Sequence, residues 1–588
     1  MNFYILNKKI QNLIISVFLK LSSFSFLIIL LVGLIKCESS PEEKLNNDPI
    51  LKQDNPMPTV GGVIRIAEND CYNTLFPAEI EETVSFKVIT QMHDGLVALN
   101  PKNLSVVPAI AKKWEVNDAQ TTYTFQLNDN VFFHDDPCFS DGKGKKITSQ
   151  DFLYTFHLLC GNLSSTGYNA LNEKILGAAE FHSGKKETIS GIKIMNDSIF
   201  SIELIEPASS FIHLLASPLG SVISKDAFEA YGKGLKVGAG PFIYGELDND
   251  SSELKLYKNK NYYQKDLFGN QLPYLDEISF TFESSEETRE ELFSTRKLDL
   301  LQGVSEIYLE KFFVENQKTF MSREFMVDRK DVLATDCYEF NNINEPFNDV
   351  RVRKAFNYAI NKKKLIENVL DNQGKIGLKG VVPNIKLFKN YNYDSISGYP
   401  YNPSKAAKLL SEAGYPNGKG FPEVLLELNV GNPTQLEVAK EVQSQLLMAL
   451  NINITIEQIE MSTLINRAAL GISQMNHFTW VSEYPSPADF LNVFYSGNAP
   501  LDPKERAWPN TSRYKNKTFD KLLKQAISTT DEADRYDLFS QAEQILIDDA
   551  PVAVLWYPEI YNIYHSSVKN LSFNELYYYD FSSVYISK

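Results

Sequence analysis

Strand-like and helix-like patterns interleave along this chain from residue 61 to its end, and neither kind collects into a block of its own. Residues 63–67 (VIRIA) and 122–127 (TYTFQL) place apolar side chains at every second position, the period of a half-buried strand. Helical spacing marks residues 150–159, 350–360, 405–413, 435–450 and 518–528. No repeat at a period of about 20–50 residues is present, which argues against a solenoid. Interleaving of this kind calls for α/β or α+β layers. At 588 residues the chain exceeds what one hydrophobic core supports, so two or three domains are expected.

One segment sets its own boundaries. In YNPSKAAKLLSEAGYPNGKGFP (401–422), Asn402 suits the N-cap, and Pro403 suits the first helical position, where its missing N–H loses no bond. Ala406, Leu409, Leu410 and Ala413 fall on one helical face. Gly414 can take the left-handed conformation that ends a helix, and Pro416 prevents its resumption.

Composition bears on partners and compartment. A formal net charge of −16 argues against a nucleic-acid partner, because phosphates call for a basic face. Residues 21–35 (LSSFSFLIILLVGLI) carry no charge and follow Lys8 and Lys9. The run is shorter than the roughly 20 residues of a membrane span but suits the apolar core of a signal peptide. With Cys37 and a polar stretch to about residue 58, it resembles a bacterial lipoprotein signal. Residues 1–36 would be the signal peptide, Cys37 the lipidation site and 37–60 a lipidated tether. The residue before the cysteine is usually small, and here it is Lys36. The alternative is an uncleaved anchor that recruits residues 10–18. In either case the folded part lies outside the cytoplasm.

Cys71, Cys138, Cys160 and Cys337 could form two disulfides in an oxidising compartment, with three connectivities open, or serve as core thiols. His157 with Cys160 and His134 with Cys138 have metal-ligand spacing but no companion pair, so core or disulfide roles are preferred and no metal or other cofactor is expected. GxSxG, HExxH and the phosphate-loop spacing are absent, so an exported hydrolase is the least favoured reading. GKGKK (142–146) reads as an exposed loop and GKGLKVGAG (232–240) as a turn before a strand.

The 401–422 segment resembles a signature of the family 5 extracellular solute-binding proteins, Y-[ND]-P-x-x-A-x-x-L-L-x-E-A-G-Y-P-x-G, almost throughout. Further blocks resemble the family in order: PAIAKKWEV (108–116), YTFQL with VFFHDD (123–136), ITSQDFLYTF (147–156), GAGPF (238–242), LYKNKNYY (256–263), PFNDVRVRKAFNYAINKKKLI (346–366), NTSRYKNKTFDKLLKQA (510–526) and APVAVLWY (550–557). The resemblance implies a bilobal α/β fold of the periplasmic-binding-protein-like type II, three-domain oligopeptide-binding variety, with hinge closure. It also implies domain boundaries: 61–80, 236–336 and 556–588 for a discontinuous domain I, 81–235 for domain II and 337–555 for domain III.

The implied function is capture of short peptides between the lobes and delivery to an ABC permease and ATPase, by a monomer held to the cell-envelope membrane through its N-terminal lipid. Alternatives are another solute (a nickel complex, haem or a sugar) or a sensor or adhesin on the same scaffold. In peptide-binding members a motif like W-x-x-D-Y-x-x-P supplies an aspartate for the ligand's α-ammonium. WVSEYPSP (480–487) occupies it here, with Glu483 in place of Asp between Trp480 and Tyr484. A carboxylate in a poorly hydrated cleft makes a strong charge-assisted bond to an ammonium. His477 stands where some members carry an arginine for a ligand carboxylate and would serve there only when protonated; the other reading is a core or surface histidine. Glu81, Glu82 and Thr83 align with a stretch that lends backbone groups to a bound peptide, in the manner of an added strand. Tyr557 is either a cleft residue or a buried sheet tyrosine.

Overall fold

The computed structural model describes residues 58–80, 83–163, 165–172, 174–315, 324–482 and 484–587. Cys37, the tether up to residue 57, Glu81, Glu82 and Glu483 lie outside the described residues.

The alternation read at 63–67 becomes the strand Val63–Glu68, near the centre of a seven-stranded mixed sheet. It runs parallel to Glu277–Phe282 and to Leu300–Val304, partners more than two hundred residues away in sequence. Antiparallel strands extend the sheet on both sides. One face packs Ile64, Ile66, Leu254 and Phe280 against Val88 and Met92 of the helix Thr83–Met92. A second cluster, with Leu301 and Ile563 of the sheet, gathers Phe293, Phe312 and Phe325.

A second, six-stranded sheet is covered on both faces. Its strand Val552–Tyr557 is buried along its whole length, as a continuous apolar run requires when neither side meets water. Ala553 and Leu555 join one core with Phe356, Leu410 and Leu446, while Val552 and Val554 join the other with Phe490, Phe519 and Leu546. The helix read at 405–413 is Pro403–Glu412. Asn402 caps it by accepting from the Lys405 amide at 2.9 Å. Gly414 follows at φ +104°, a conformation that would strain any residue carrying a Cβ. The other helical patterns appear as Ser149–Cys160, Val350–Ala359, Pro433–Leu450 and Lys517–Ser528.

A four-stranded antiparallel sheet, Ala111–Val116, Thr122–Leu127, Ile199–Glu203 and Ile192–Asn196, packs Phe125 and Phe200 against Phe152 and Phe156 of Ser149–Cys160.

The chain passes between the two large sheets twice. Phe325–Asp331 leads into Ala334–Phe340 through Val332 and Leu333, and Val552–Tyr557 leads into Glu559–His565 through Pro558. The two crossings run side by side, with the Val332 amide donating to the Pro558 carbonyl at 3.0 Å. Such short, paired crossovers concentrate backbone rotation in a few residues, which is how a hinge between lobes is built. The thiols of Cys138, Cys160 and Cys337 are free, so no two-disulfide pairing of the four cysteines forms. Cys160 and Cys337 are packed in cores, as small apolar side chains are.

Candidate functional site

The strand Met475–Val481 lies between Ala334–Phe340 and Leu425–Asn429 in the six-stranded sheet, and the chain leaves it directly into the turn that carries position 483. Trp480 stands opposite Thr335 and stacks on Phe478, with ring centroids 6.1 Å apart. Its indole N–H donates to the Asp489 carboxylate at 3.0 Å. Ser482 is tied to the crossing strand by its amide, which donates to Leu333 O at 2.8 Å. Its hydroxyl donates to Tyr484 O at 2.6 Å, and the Ser486 amide donates to the same carbonyl at 2.8 Å. Ser486 then caps the helix Pro487–Asn492 by accepting from the Ala488 amide, with Pro487 in the first turn. Both flanks of position 483 are therefore held by hydrogen bonds and by a proline.

This turn meets the lobe of the four-stranded sheet. The Tyr484 ring stacks on His213, at 6.5 Å between centroids, from the helix Phe211–Leu215. Beside it the Ser209 amide donates to Ile527 O at 3.3 Å. Burial pushes the His213 imidazole below its ordinary pKa, which favours the neutral ring.

The remaining sequence-predicted residues are placed differently. His477 sits three positions before Trp480 and so on the opposite face of the strand. It is 7% exposed, and its Nε2 lies 2.9 Å from Asp336 Oδ1, an ion pair whenever the ring is protonated. Thr479 Oγ1 donates to the other oxygen of Asp336 at 2.9 Å. Tyr557 is 2% exposed; its hydroxyl donates to Gly380 O at 2.7 Å and meets Tyr393 Oη at 2.6 Å. Burial raises its phenol well above the ordinary value, so it stays a donor. Thr83 is exposed at the start of the helix Thr83–Met92.

That helix is anchored by a buried ion pair. Lys87 Nζ lies 2.7 and 2.8 Å from the two Glu68 oxygens and 3.0 Å from Gln302 Oε1, with the Tyr579 ring 5.2 Å away. At the far end of the helix, burial pushes the Asp94 carboxyl up to about 7, although Tyr262 donates to it at 3.0 Å. Neither group stood out in the sequence. Asp489 was more accessible to reading, since Ser486 and Asp489 have the S-x-x-D spacing of a capping box.

Among the described residues no group of three or more His, Cys, Asp or Glu side chains could hold a metal ion. A hollow of about 440 Å³ opens beside Asp349, Ala413 and Tyr415, where helices end, and none of the sequence-predicted site residues lines it.

A sequence profile of the bacterial extracellular solute-binding proteins, family 5 Middle, matches residues 105–501. The chain belongs to this family. It is 27% identical over 495 residues to the periplasmic oligopeptide-binding protein OppA of Salmonella typhimurium, covering 82% of this chain and 85% of that protein. It is 24% identical over 523 residues to the dipeptide-binding protein DppE of Bacillus subtilis, covering 87% and 90%. The solved structure of the Escherichia coli murein tripeptide binding protein MppA superposes with a TM-score of 0.73 at 23% identity, over 91% of this chain and 100% of that one. The fold is accordingly bilobal, of the periplasmic binding type. The family's role is non-catalytic: a binding protein outside the cytoplasm that delivers solute to an ABC importer.

Proposed function

We propose that the solute is a short peptide, captured between the lobes and anchored by its α-ammonium on Glu483. The reading rests chiefly on the turn around position 483, whose two flanks are fixed and whose Tyr484 meets the other lobe at His213. A carboxylate carried between fixed flanks would lose little freedom on binding, which favours a strong ammonium contact. The relatives support the same class, since those named above are an oligopeptide-, a dipeptide- and a tripeptide-binding protein. On this reading Glu81, Glu82 and Thr83 contribute main-chain bonds, and His477 and Tyr557 support the sheet from within. The division into domains of 61–80 with 236–336 and 556–588, 81–235, and 337–555 belongs to the same proposal. So do the lipid on Cys37 and action as a monomer.

Calorimetric titration with matched free and N-acetylated peptides tests it. Glu483→Ala is expected to weaken free-peptide binding by about 3 kcal/mol or more, the cost of leaving one buried charge unpaired. It should change little for the acetylated peptide. Equal loss for both peptides would remove Glu483 from ammonium recognition.

A further inference from the structure

The turn between the strands Glu253–Lys258 and Glu277–Phe282 spends its polar groups inward and its apolar side chains outward. Asp266 accepts from the Phe268 amide at 2.9 Å, from the Asn270 amide at 2.7 Å and from Asn270 Nδ2 at 2.8 Å. The Tyr274 hydroxyl also donates to it. The Gly269 amide returns to Asp266 O at 3.0 Å, with Gly269 at φ +85°, and Lys265 bridges Gln271 below. The loop is thus tied shut, yet Leu267 is 101% and Phe268 87% exposed at its tip. Nothing in the hydrogen bonding or packing of the loop requires two large apolar residues there. Lys260 and Lys265, both exposed, lie on the arm that leads into the tip.

The position of this tip is informative. The described chain begins at residue 58, and the Gly61 amide donates to Tyr274 O at 2.8 Å, on the arm of the same turn. The Gly62 amide donates to Asp276 at 3.1 Å. The 57 residues that precede in sequence, including the apolar run at 21–35, are therefore covalently joined to the folded unit close to the arm of this turn. We propose that the Leu267–Phe268 tip is a membrane-contact wedge that inserts into the bilayer at the point where the N-terminal segment leaves the folded unit. Lys260 and Lys265 face anionic headgroups around it. An apolar pair beside basic residues has the chemistry of an interfacial anchor, and a second weak anchor beside a lipid is what stable attachment takes. The inference rests on the reading of the N-terminus as a membrane tether.

The full chain, bound to vesicles of phosphatidylethanolamine and phosphatidylglycerol with brominated acyl chains, tests this. Phe268→Trp is read against the native tryptophans of the unsubstituted protein, and Leu501→Trp, at a site 96% exposed elsewhere, is the control. The expected result is quenching and a blue shift at position 268 alone, consistent with insertion to about 5–10 Å. Lys260→Glu with Lys265→Glu should lower that quenching in anionic vesicles and leave it unchanged in phosphatidylcholine. A chain that floats with the vesicles while Phe268→Trp is quenched no more than Leu501→Trp overturns the wedge and leaves the tether standing. A chain that does not float overturns the tether, and the wedge with it. Crosslinking from position 268 to a permease without quenching would assign the tip to a protein partner and overturn the membrane assignment.

Discussion

The two chain segments proposed to hold the ligand are fixed by different physics. The helix Thr83–Met92, which follows Glu81 and Glu82, is pinned to its sheet by an ion pair, with the Lys87 and Glu68 side chains 5% and 8% exposed. The turn around position 483 is pinned without an ion pair, by neutral donors: the Trp480 indole on the Asp489 carboxylate and the Ser482 and Ser486 bonds to Tyr484 O. A buried ion pair is strong against one-sided removal and weak against joint replacement, because most of its apparent strength is desolvation of the charge left behind. Hydrogen bonds from neutral donors put less desolvation at stake than a buried ion pair.

The contrast can be broken from the charged side first. Lys87→Met strands the Glu68 carboxylate in the core and is expected to lower unfolding stability by about 3–5 kcal/mol. Adding Glu68→Leu should restore most of it, as urea denaturation of the single and double variants would read. A double variant no more stable than Lys87→Met would mean that the pair does more than satisfy its own burial. At the turn, Asp489→Ala leaves a half-buried indole N–H without this acceptor and should cost about 1–3 kcal/mol. Peptide affinity should fall with it, since the turn loses an anchor.

A pH-dependent effect sharpens the comparison further. Glu543 is buried with only neutral donors, the Val382 amide at 2.7 Å and the Tyr391 hydroxyl, and burial pushes its carboxyl up to about 7. A raised carboxyl binds its proton more tightly in the folded state than in the unfolded one. Its contribution is therefore complete below an unfolded pKa near 4.3 and is lost as pH rises through about 7. Glu543→Gln should flatten the fall in stability between pH 5 and about 8, seen in urea midpoints across that range. An unchanged slope would place the titration elsewhere, with Glu339 and Asp94, also pushed up to about 7 by burial, as the next groups to replace.

Much of this was legible in the sequence where local chemistry decides. Asn402, Pro403 and Gly414 delimit their helix by capping rules alone, and the alternation at 63–67 is a strand on inspection. The family blocks supplied the fold and the motif around Glu483. What local reading missed depends on distant pairing. Lys87 in TVSFKVITQM looks like one polar residue on an amphipathic helix. Only the docking of that helix on the end of Val63–Glu68, beside Leu300–Val304, turns it into an ion pair touching Gln302. Tyr557 was ambiguous for the same reason, because the acceptor that buries its hydroxyl, Gly380 O, comes from a loop 177 residues earlier. Cysteine spacing could not separate disulfide from core thiol, since the geometry between Cys138, Cys160 and Cys337 is set by tertiary structure.

The most direct test of the central claim is native mass spectrometry of the folded protein, purified without refolding and then gently denatured to release what it carries. Peptide capture predicts a ladder of masses matching short peptides, exchangeable for an added peptide pool and reduced by Glu483→Ala. A single non-peptide mass, such as haem or a metal complex, or a protein that gains no mass from the pool, would contradict it.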